Sequence, residues 1–596
     1  MSLPFNFKNY SWSAARSDLA AGATVAAIAI PQAIAYALIA GVDPKFGLYS
    51  AIVITIVASI LNSSSHLING PTNAISLVVF SALASFDGRF DAYQALFLLG
   101  IIVGIIQILI AIFKLGDLTR YVSESVILGF MAGAGFLIAL GQVGNFVGAA
   151  KKGNGDQSVI TRTWETLVHG WPFNFHAISL GAGTIVVVLL LRQLISKYKL
   201  PKIDMLVGLI LASLVAAYFG WSLPAANGKS IVSTVGTVPA ALPGFYIPEI
   251  NFDWISRLFT GAMAISFLGL LEALAVAKSI AAYTREPLDY NRQCLAEGVG
   301  NLVGGFFQSL PGSGSLTRSA INYQSGVVTR ASGIYSGIIV AVVVVLGGPY
   351  ARFIPKSALA GLLFITAARL IDWKRLAFAI RASRFDAALV GVTAFSAIFI
   401  SVDDSILIGV ALSILLFVPR ASKPGIRELI VAPERVVRER QPGEERAKPL
   451  LIYDLEGELF FGSSPEVHRY LTEIIEETDR TGIKYVVLRL RRSRHPDAVA
   501  VEHLVHFLHD ADKRGVTVLL AGLRPDFVKI LDNVHLKSWF PADRIFPEEN
   551  EVYSATLNAV RHANQLAKAA EQAKEMGPKG LEALRTDEKE PAYYLV

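Results

Sequence analysis

Charged side chains and cysteine are both scarce in this 596-residue chain. Asp, Glu, Lys and Arg together make up only 17% of the residues, and Cys294 is the single cysteine. One cysteine excludes an internal disulfide framework and a cysteine-rich metal site. The sequence also lacks a Gly-x-x-x-x-Gly-Lys-Ser/Thr loop, which argues against an ATPase. We therefore expect no enzyme activity, no cofactor and no metal site.

Apolar residues dominate the chain instead. They make up 53% of it, and the mean hydropathy of +0.48 is too high for a water-soluble protein. The net charge of +6 comes from Lys and Arg gathered in particular loops, which indicates membrane topology and not nucleic-acid binding. Residues 1–18 lack the pattern of a cleavable signal peptide, so we expect the first membrane segment to direct insertion.

The apolar residues form fourteen candidate membrane segments. Two short ones, 70–85 and 314–325, suit helices that cross half of the bilayer. Lys and Arg favour the loops of one side, which predicts cytoplasmic N- and C-termini in a cell (inner) membrane. The twelve longer runs are 19–41, 47–62, 92–113, 124–147, 175–195, 202–220, 258–280, 293–309, 329–348, 354–371, 385–401 and 403–420.

The two short segments indicate an internal repeat. The sequence Gly-Pro-Thr-Asn at 70–73 opens the first, and Pro-Gly-Ser-Gly at 311–314 precedes the second, 241 residues later. The same offset carries Pro31 in the first segment onto Glu272 in the eighth. Seven segments separate corresponding elements, an odd number, so the second half is expected to be inverted, with both half-helix N-termini near the membrane midplane. This is the architecture of a secondary transporter.

The stretch 311–322, Pro-Gly-Ser-Gly-Ser-Leu-Thr-Arg-Ser-Ala-Ile-Asn, places an arginine in this apolar region. Its proline and glycines interrupt any preceding helix, and Ser315 or Thr317 can cap a new one. The free N–H groups of a helix start carry a charge of about +0.5, which Arg318 reinforces. The segment therefore predicts a pocket for an anion.

A second stretch brings a family into view. Residues 31–49, Pro-Gln-Ala-Ile-Ala-Tyr-Ala-Leu-Ile-Ala-Gly-Val-Asp-Pro-Lys-Phe-Gly-Leu-Tyr, resemble the signature of the SulP sulfate-permease family, whose relatives include the animal multifunctional anion exchangers and prestin. Residues 65–71, 125–130, 269–273 and 317–319 support the resemblance, which extends over nearly the whole chain.

This resemblance implies an α-helical membrane domain over residues 1–420, built as a 7+7 inverted repeat with two half-helices. Helices 1–4 and 8–11 would form a transport core that slides, in the manner of an elevator, against a gate of helices 5–7 and 12–14. The family also implies a homodimer and a cytoplasmic α/β domain of the STAS type at the C-terminus.

The half-helix starts supply most of the candidate substrate ligands. Arg318 either attracts the substrate or serves as a structural partner for a carboxylate or a carbonyl group. Ser315 and Thr317 can be caps, ligands or both, because a capping hydroxyl already lies beside a bound anion. On the facing half-helix, Thr72 is a candidate by resemblance to the family. Asn73 is either a ligand or an interhelical hydrogen-bonding residue.

Three further candidates lie on full-length helices. Gln32 and Tyr36 are four residues apart, so they share one helix face, and the family pattern places residues here at the anion site. Glu272 is a candidate for coupling-ion binding. Its burial favours the neutral acid, whereas a nearby Arg318 favours the carboxylate. Proton coupling, sodium coordination and plain charge balance therefore remain open.

The composition changes after Arg420. Residues 421–447 are expected to be a solvated linker, 448–565 the STAS-like domain and 566–596 a disordered polar tail. Strands are predicted at 450–453, 458–461, 485–490 and 516–520, and helices at 465–480, 499–513 and 525–531. Where STAS regulators carry Asp-Ser-Ser-Gly, residues 497–500 read Asp-Ala-Val-Ala, and arginines crowd the preceding strand end. A scaffolding or dimer-supporting role is therefore expected.

The expected function is secondary active transport of a small inorganic anion, with sulfate and proton coupling favoured. Sodium-coupled transport of bicarbonate, or transport of a C4-dicarboxylate, is an alternative. A membrane anion sensor that signals through the C-terminal domain is another. One arginine and two helix starts suit several anions, so the sequence does not select among them.

Overall fold

The computed structural model describes residues 10–84, 86, 88–116, 123–149, 157–198, 203–223, 230–421, 423–431, 436–441, 443–444, 446, 449–549, 554–576 and 594–595. The chain divides into a helical domain, residues 1–413, and a C-terminal domain, residues 414–596. Over the described residues, eight helices are long and apolar enough to cross a membrane. This agrees with the multi-pass membrane protein that the composition predicts.

All fourteen predicted segments correspond to helices. The eight long apolar ones are α1 (Trp12–Ile39), α2 (Pro44–Leu61), α4 (Arg89–Ile112), α5 (Glu124–Val147), α7 (Phe175–Tyr198), α9 (Phe252–Thr284), α12 (Ala331–Gly347) and α16 (Val402–Ala421). The six shorter ones are α3 (Asn73–Ala82), α8 (Asp204–Tyr218), α10 (Tyr290–Phe306), α11 (Leu316–Gln324), α13 (Lys356–Leu370) and α15 (Arg384–Phe399). Two more helices, absent from the sequence prediction, are α6 (Val159–His169) and α14 (Trp373–Ala382).

The internal repeat is visible in the order of these elements. Displaced by 241 residues, α1, α2, α3 and α4 overlap α9, α10, α11 and α12 in turn. Both half-helices, α3 and α11, follow a two-residue strand, β1 (Asn69–Gly70) and β2 (Ser313–Gly314) respectively. These strands pair antiparallel with each other, so the two half-helices start from one shared crossing.

The repeat helices pack in two groups. α10 lies along α2 and α4, and α12 lies along α1 and α2. α5, α7, α8, α13 and α15 pack chiefly on one another. Glycine permits the closest of these approaches: a Cβ atom on Gly104 of α4 would lie 2.7 Å from the carbonyl oxygen of Gly298 on α10. With no side chain between them, α10 lies directly against α4 and is held firmly behind the strand crossing.

The C-terminal domain is built on an eight-stranded sheet. Its order is β10-β4-β3-β5-β6-β8-β9, with β7 paired to β5. The four strands β5, β6, β8 and β9 run parallel, with α17, α18 and α19 between them in the sequence. The elements are β3 (Gly425–Val431), β4 (Val436–Glu439), β5 (Leu450–Glu458), α17 (Ser464–Thr481), β6 (Tyr485–Arg489), β7 (Ser493–Arg494), α18 (Ala498–Lys513), β8 (Thr517–Leu523), α19 (Pro525–Asn533), β9 (Ile545–Pro547), α20 (Ser554–Met576) and β10 (Tyr594–Leu595).

Three sequence expectations for this region are wrong. The expected linker 421–447 contains β3 and β4, because its charges form cross-strand pairs: Arg427 lies 3.1 Å from both Glu439 and Glu456. The two strands expected at 450–453 and 458–461 are the single strand β5, followed by a turn. The expected tail 566–596 begins as helix, since α20 extends to Met576, and the earlier part of this helix, with Ala559, Val560 and Ala563, packs on the sheet. Residues 577–593 and 596 lie outside the described residues.

Candidate anion site

The two half-helices begin at the β1–β2 crossing, and each has a hydroxyl cap. Thr72 Oγ1 accepts a hydrogen bond from Ile75 N at 3.4 Å at the start of α3. Ser315 Oγ accepts one from Arg318 N at 3.5 Å at the start of α11. Each cap satisfies one of the free N–H groups of its helix. Two positive helix ends therefore begin at one buried crossing, which favours an anion.

Arg318 brings a full charge to this crossing. Its side chain is only 1% exposed, and Nη1 donates to the carbonyl oxygen of Pro71 at 2.9 Å. Nε and Nη2 are buried without a hydrogen-bonding partner, and within the described chain no carboxylate oxygen lies within 4.0 Å. The structural partner that the sequence left open is thus a carbonyl and not Glu272. A buried guanidinium with two unused donors is suited to bind an anion.

Glycine at position 70 makes room for this guanidinium. A Cβ atom on Gly70 would lie 3.2 Å from Arg318 Nη2, and the residue has a φ of +139°. The backbone conformation therefore favours glycine strongly, and a larger residue would also press on the guanidinium. The side chain of Arg318, in the second repeat, therefore contacts the backbone of Gly70 and Pro71 in the first repeat, and this contact joins the two repeats.

Glu272 approaches the crossing from α9. Its Oε2 accepts a hydrogen bond from Thr72 Oγ1 at 3.3 Å, so Thr72 links the start of α3 to a carboxylate. The Glu272 side chain is half-buried. Tyr36 on α1 is buried and lies close enough to Arg318 and Glu272 for both charges to act on its hydroxyl. The crossing therefore gathers Thr72, Ser315, Arg318, Glu272 and Tyr36, all of which the sequence proposed.

The remaining candidates lie in less direct positions. Gln32, one turn before Tyr36, is buried, and its Oε1 has no hydrogen-bonding partner. Asn73 is buried, and its Oδ1 accepts from the neighbouring Ala74 N at 3.0 Å. Thr317 is exposed and does not cap α11. Direct ligation by these three residues stays a prediction.

A polar stripe on α10, which the sequence reading missed, supports the crossing from behind. Asn301 holds β2, since it donates to Gly312 O at 3.0 Å and accepts from Gly312 N at 2.8 Å. One turn earlier, Glu297 accepts a short hydrogen bond from Asn69 of β1. Another turn earlier, Gln293 donates to Glu297 at 3.3 Å. The four-residue spacing of these polar residues within the run 293–309 was the available signal.

The chain segment that leads into β1 is fastened at the end of α9. Glu286, in the loop before α10, accepts from Ser65 N at 3.0 Å and lies 3.2 Å from His66 Nδ1. Burial raises the pKa of Glu286, but the hydrogen bonds from His66 and Ser65 outweigh it and lower that pKa to about 2. Asn322 of α11 donates to His66 O at 3.1 Å. Ionised Glu286 therefore helps to hold the entry to β1 in place.

Replacing Gly312 by alanine should disrupt the crossing. The added Cβ atom would lie 2.4 Å from Gly70 O and 2.5 Å from Gly70 C, so backbone atoms and not a movable side chain would have to shift. We expect a loss of stability of ~1–3 kcal/mol together with a loss of anion binding. Thermal unfolding and binding titration of the purified protein measure the two effects. Gly183→Ala is the matched control, because its Cβ atom meets nothing within 4 Å; equal behaviour of the two variants would contradict the tight crossing.

In the C-terminal domain, the arginines near residue 490 are paired with carboxylates. Buried Arg489 lies 2.6 Å from Asp454, Arg491 lies 3.1 Å from Glu548, and Arg492 lies 3.3 Å from Glu456. Asp497 caps α18 by accepting from Ala500 N at 2.9 Å. The two residues that follow Asp497 are alanine and valine.

Comparisons with known proteins agree with this description. The sequence model of the Sulfate permease family matches residues 16–393, and that of the STAS domain matches residues 441–552. A putative sulfate transporter of Bacillus subtilis is 27% identical over 550 residues, covering 92% of this chain and 98% of the relative. The sodium-independent sulfate anion transporter of Bos taurus is 30% identical over 562 residues, covering 89% and 87%.

A solved structure shows the same fold. The murine Solute Carrier 26 family member A9 anion transporter, in an inward-facing state, matches with a TM-score of 0.81 at 19% identity, covering 94% of this chain and 92% of that one. The family match spans more than half of the chain and includes α1, the crossing and Arg318. This protein therefore belongs to the sulfate permease family and carries a C-terminal STAS domain.

Proposed function

We propose that this protein is a secondary active transporter of a small inorganic anion, with sulfate as substrate and protons as the coupling ion. The observation that carries the proposal is Arg318, fully buried between two half-helix starts with two donors unused. Sulfate has oxygen acceptors on every side, so it can take hydrogen bonds from a guanidinium and from both helix ends together. The sulfate-transporter names of the relatives support the choice of anion.

The proposed movement is of the elevator type. α1–α4 and α9–α12 carry the crossing and form the core, while α5, α7, α8, α13, α15 and α16 form the gate. The preferential packing of helices within the two groups supports this division. α10 packs closely on α2 and α4 behind the crossing, so it is expected to move together with the core. We further propose a homodimer in the inner membrane with both termini cytoplasmic.

Uptake into proteoliposomes tests the function. Labelled sulfate, bicarbonate and fumarate are offered in turn, under an inward proton gradient or an inward sodium gradient. We expect saturable sulfate uptake that the proton gradient accelerates and the sodium gradient does not. Accumulation of bicarbonate driven by sodium would replace the proposed substrate and coupling ion. Saturable binding without flux would instead indicate a sensor.

Removing the C-terminal domain should reduce rate or assembly and leave substrate preference intact. The truncation should end at Ala421, because β3 already belongs to the sheet of that domain. Arg489→Ala offers a milder version, since it leaves buried Asp454 with only a longer contact to Arg492, at 3.9 Å, and should cost the domain up to about 3–5 kcal/mol. Competition of sulfate uptake by other anions measures preference. A changed order of competing anions would assign the domain a part in selectivity; Arg514→Ala, at an exposed ion pair, is the control.

A further inference from the structure

Glu297 is a second buried carboxylate of the core, and it lies behind the anion site. The residue is fully buried on α10, with an exposure of 0%. Its Oε1 accepts hydrogen bonds from Asn69 and, at 3.3 Å, from Gln293. Its Oε2 is buried and has no hydrogen-bonding partner. Oε1 therefore accepts two hydrogen bonds, whereas no described donor reaches Oε2.

Among the described residues, no cation lies beside Glu297 to compensate its charge. In the described chain, no Lys, Arg or His nitrogen lies within 4.0 Å of it. The ionisable group of α9 that acts on it is Glu272, which carries the same sign, while Lys278 of that helix is exposed. The other neighbouring helices add no titratable group near Glu297 among the described residues. Asn62, at the end of α2, accepts a hydrogen bond from Gln293, and α4 packs on α10 with glycine and with Gln107, whose Oε1 accepts a hydrogen bond from Asn301. An ionised carboxylate without a cation is far costlier to bury than the neutral acid.

The hydrogen bonds alone do not require an acid at this position. A glutamine would offer the same oxygen to Asn69 and Gln293, and its amide nitrogen would take the place of Oε2. Glutamic acid adds only one ability, which is to bind and release a proton. Because Asn69 of β1 donates to Glu297, the protonation state of Glu297 can act on β1, and through β1 on the strand crossing at which Arg318 lies.

We propose that Glu297 holds a proton on Oε2 in this state and is a second proton-carrying group of the transport cycle, beside Glu272. This inference rests on the proposed proton-coupled transport. Water on one side of the membrane supplies the proton, and water on the other side receives it when the crossing opens. Each carboxylate that takes up a proton adds one positive charge, so two protons bound at Glu297 and Glu272 offset the two negative charges of one sulfate ion. Because Oε2 is buried in this state, its proton cannot exchange with water and moves together with the core.

The proton-to-sulfate ratio tests the proposal on the full-length protein in liposomes. At zero membrane potential, a gradient of one pH unit can accumulate an anion up to about tenfold for each coupled proton. We expect about a hundredfold for the wild type, about tenfold for Glu297→Gln or Glu272→Gln, and none for the double variant. Glu297→Gln should keep sulfate exchange, since its hydrogen bonds persist. Glu124→Gln, an exposed carboxylate on α5, should behave as wild type.

A wild-type ratio that Glu297→Gln leaves unchanged would overturn the proposal and leave Glu272 as the proton carrier. Infrared spectroscopy decides independently of transport. Glu272→Gln should retain, at neutral pH, the carbonyl stretch of one protonated buried carboxyl group, and the double variant should lose that band. If Glu272→Gln shows no such band, Glu297 is ionised and the proposal fails, even where Glu297→Gln itself does not fold. If the proton gradient does not change wild-type sulfate uptake although the carbonyl band is present, the proposed proton coupling is wrong, whereas the protonation of Glu297 is not contradicted.

Discussion

Arg318→Ala should remove most of the sulfate affinity while leaving the protein folded. The guanidinium supplies the only full positive charge that the described residues place at the crossing, and two of its donors are unused. Charge-assisted hydrogen bonds of this kind contribute about 2–4 kcal/mol in total, which corresponds to roughly a thirtyfold to thousandfold loss of affinity. Equilibrium binding of labelled sulfate to purified protein measures the loss directly.

Arg318→Lys separates charge from geometry. Lysine keeps the positive charge, but its ammonium group cannot both donate to Pro71 O and present a planar pair of donors to the anion. We therefore expect affinity between that of the wild type and that of Arg318→Ala. Arg257→Ala is the control, because Arg257 is exposed and paired with Asp253 at 2.8 Å. If Arg318→Ala binds sulfate as the wild type does, Arg318 is a structural residue that holds Pro71.

The half-helices could be predicted because their signals are local. Proline and glycine end a helix, and a hydroxyl residue starts the next one, so a stretch of six residues is enough to place each start. The inverted repeat followed from spacing alone. In contrast, the choice between Ser315 and Thr317 as cap depended on backbone geometry at the end of β2, and Ser315 lies directly before the helix.

Partners across the fold could not be predicted, because they depend on residues far apart in the chain. The sequence allowed a pair of Arg318 with Glu272, whereas the guanidinium donates to the Pro71 carbonyl oxygen. Glu297 went unnoticed because the run 293–309 read as one more apolar segment, although its contact with Asn69 spans the two repeats. The strands β3 and β4 were hidden for a related reason, since charges that pair across a sheet resemble the charges of a solvated linker in the sequence.

Glu272→Gln should weaken the coupling of anion movement to the proton gradient. Glutamine imitates the protonated acid and can still accept the hydrogen bond from Thr72 Oγ1, so the start of α3 keeps its support. The variant can therefore bind sulfate and exchange it across the membrane. It cannot bind and release a proton at this position, so a gradient of one pH unit should accumulate about tenfold less sulfate than in the wild type.

The measurement pairs two assays on the same liposomes. Counterflow reports exchange, which should be retained, and uptake under a proton gradient at zero membrane potential reports coupling, which should fall. Thr72→Val is the informative companion, because it keeps the carboxylate but removes the hydroxyl contact, so coupling should survive while the start of α3 loses its cap. If Glu272→Gln accumulates as much sulfate under the proton gradient as the wild type does, or if sodium alone drives wild-type uptake, Glu272 is a charge partner or part of a cation site, because its proton then does not drive transport.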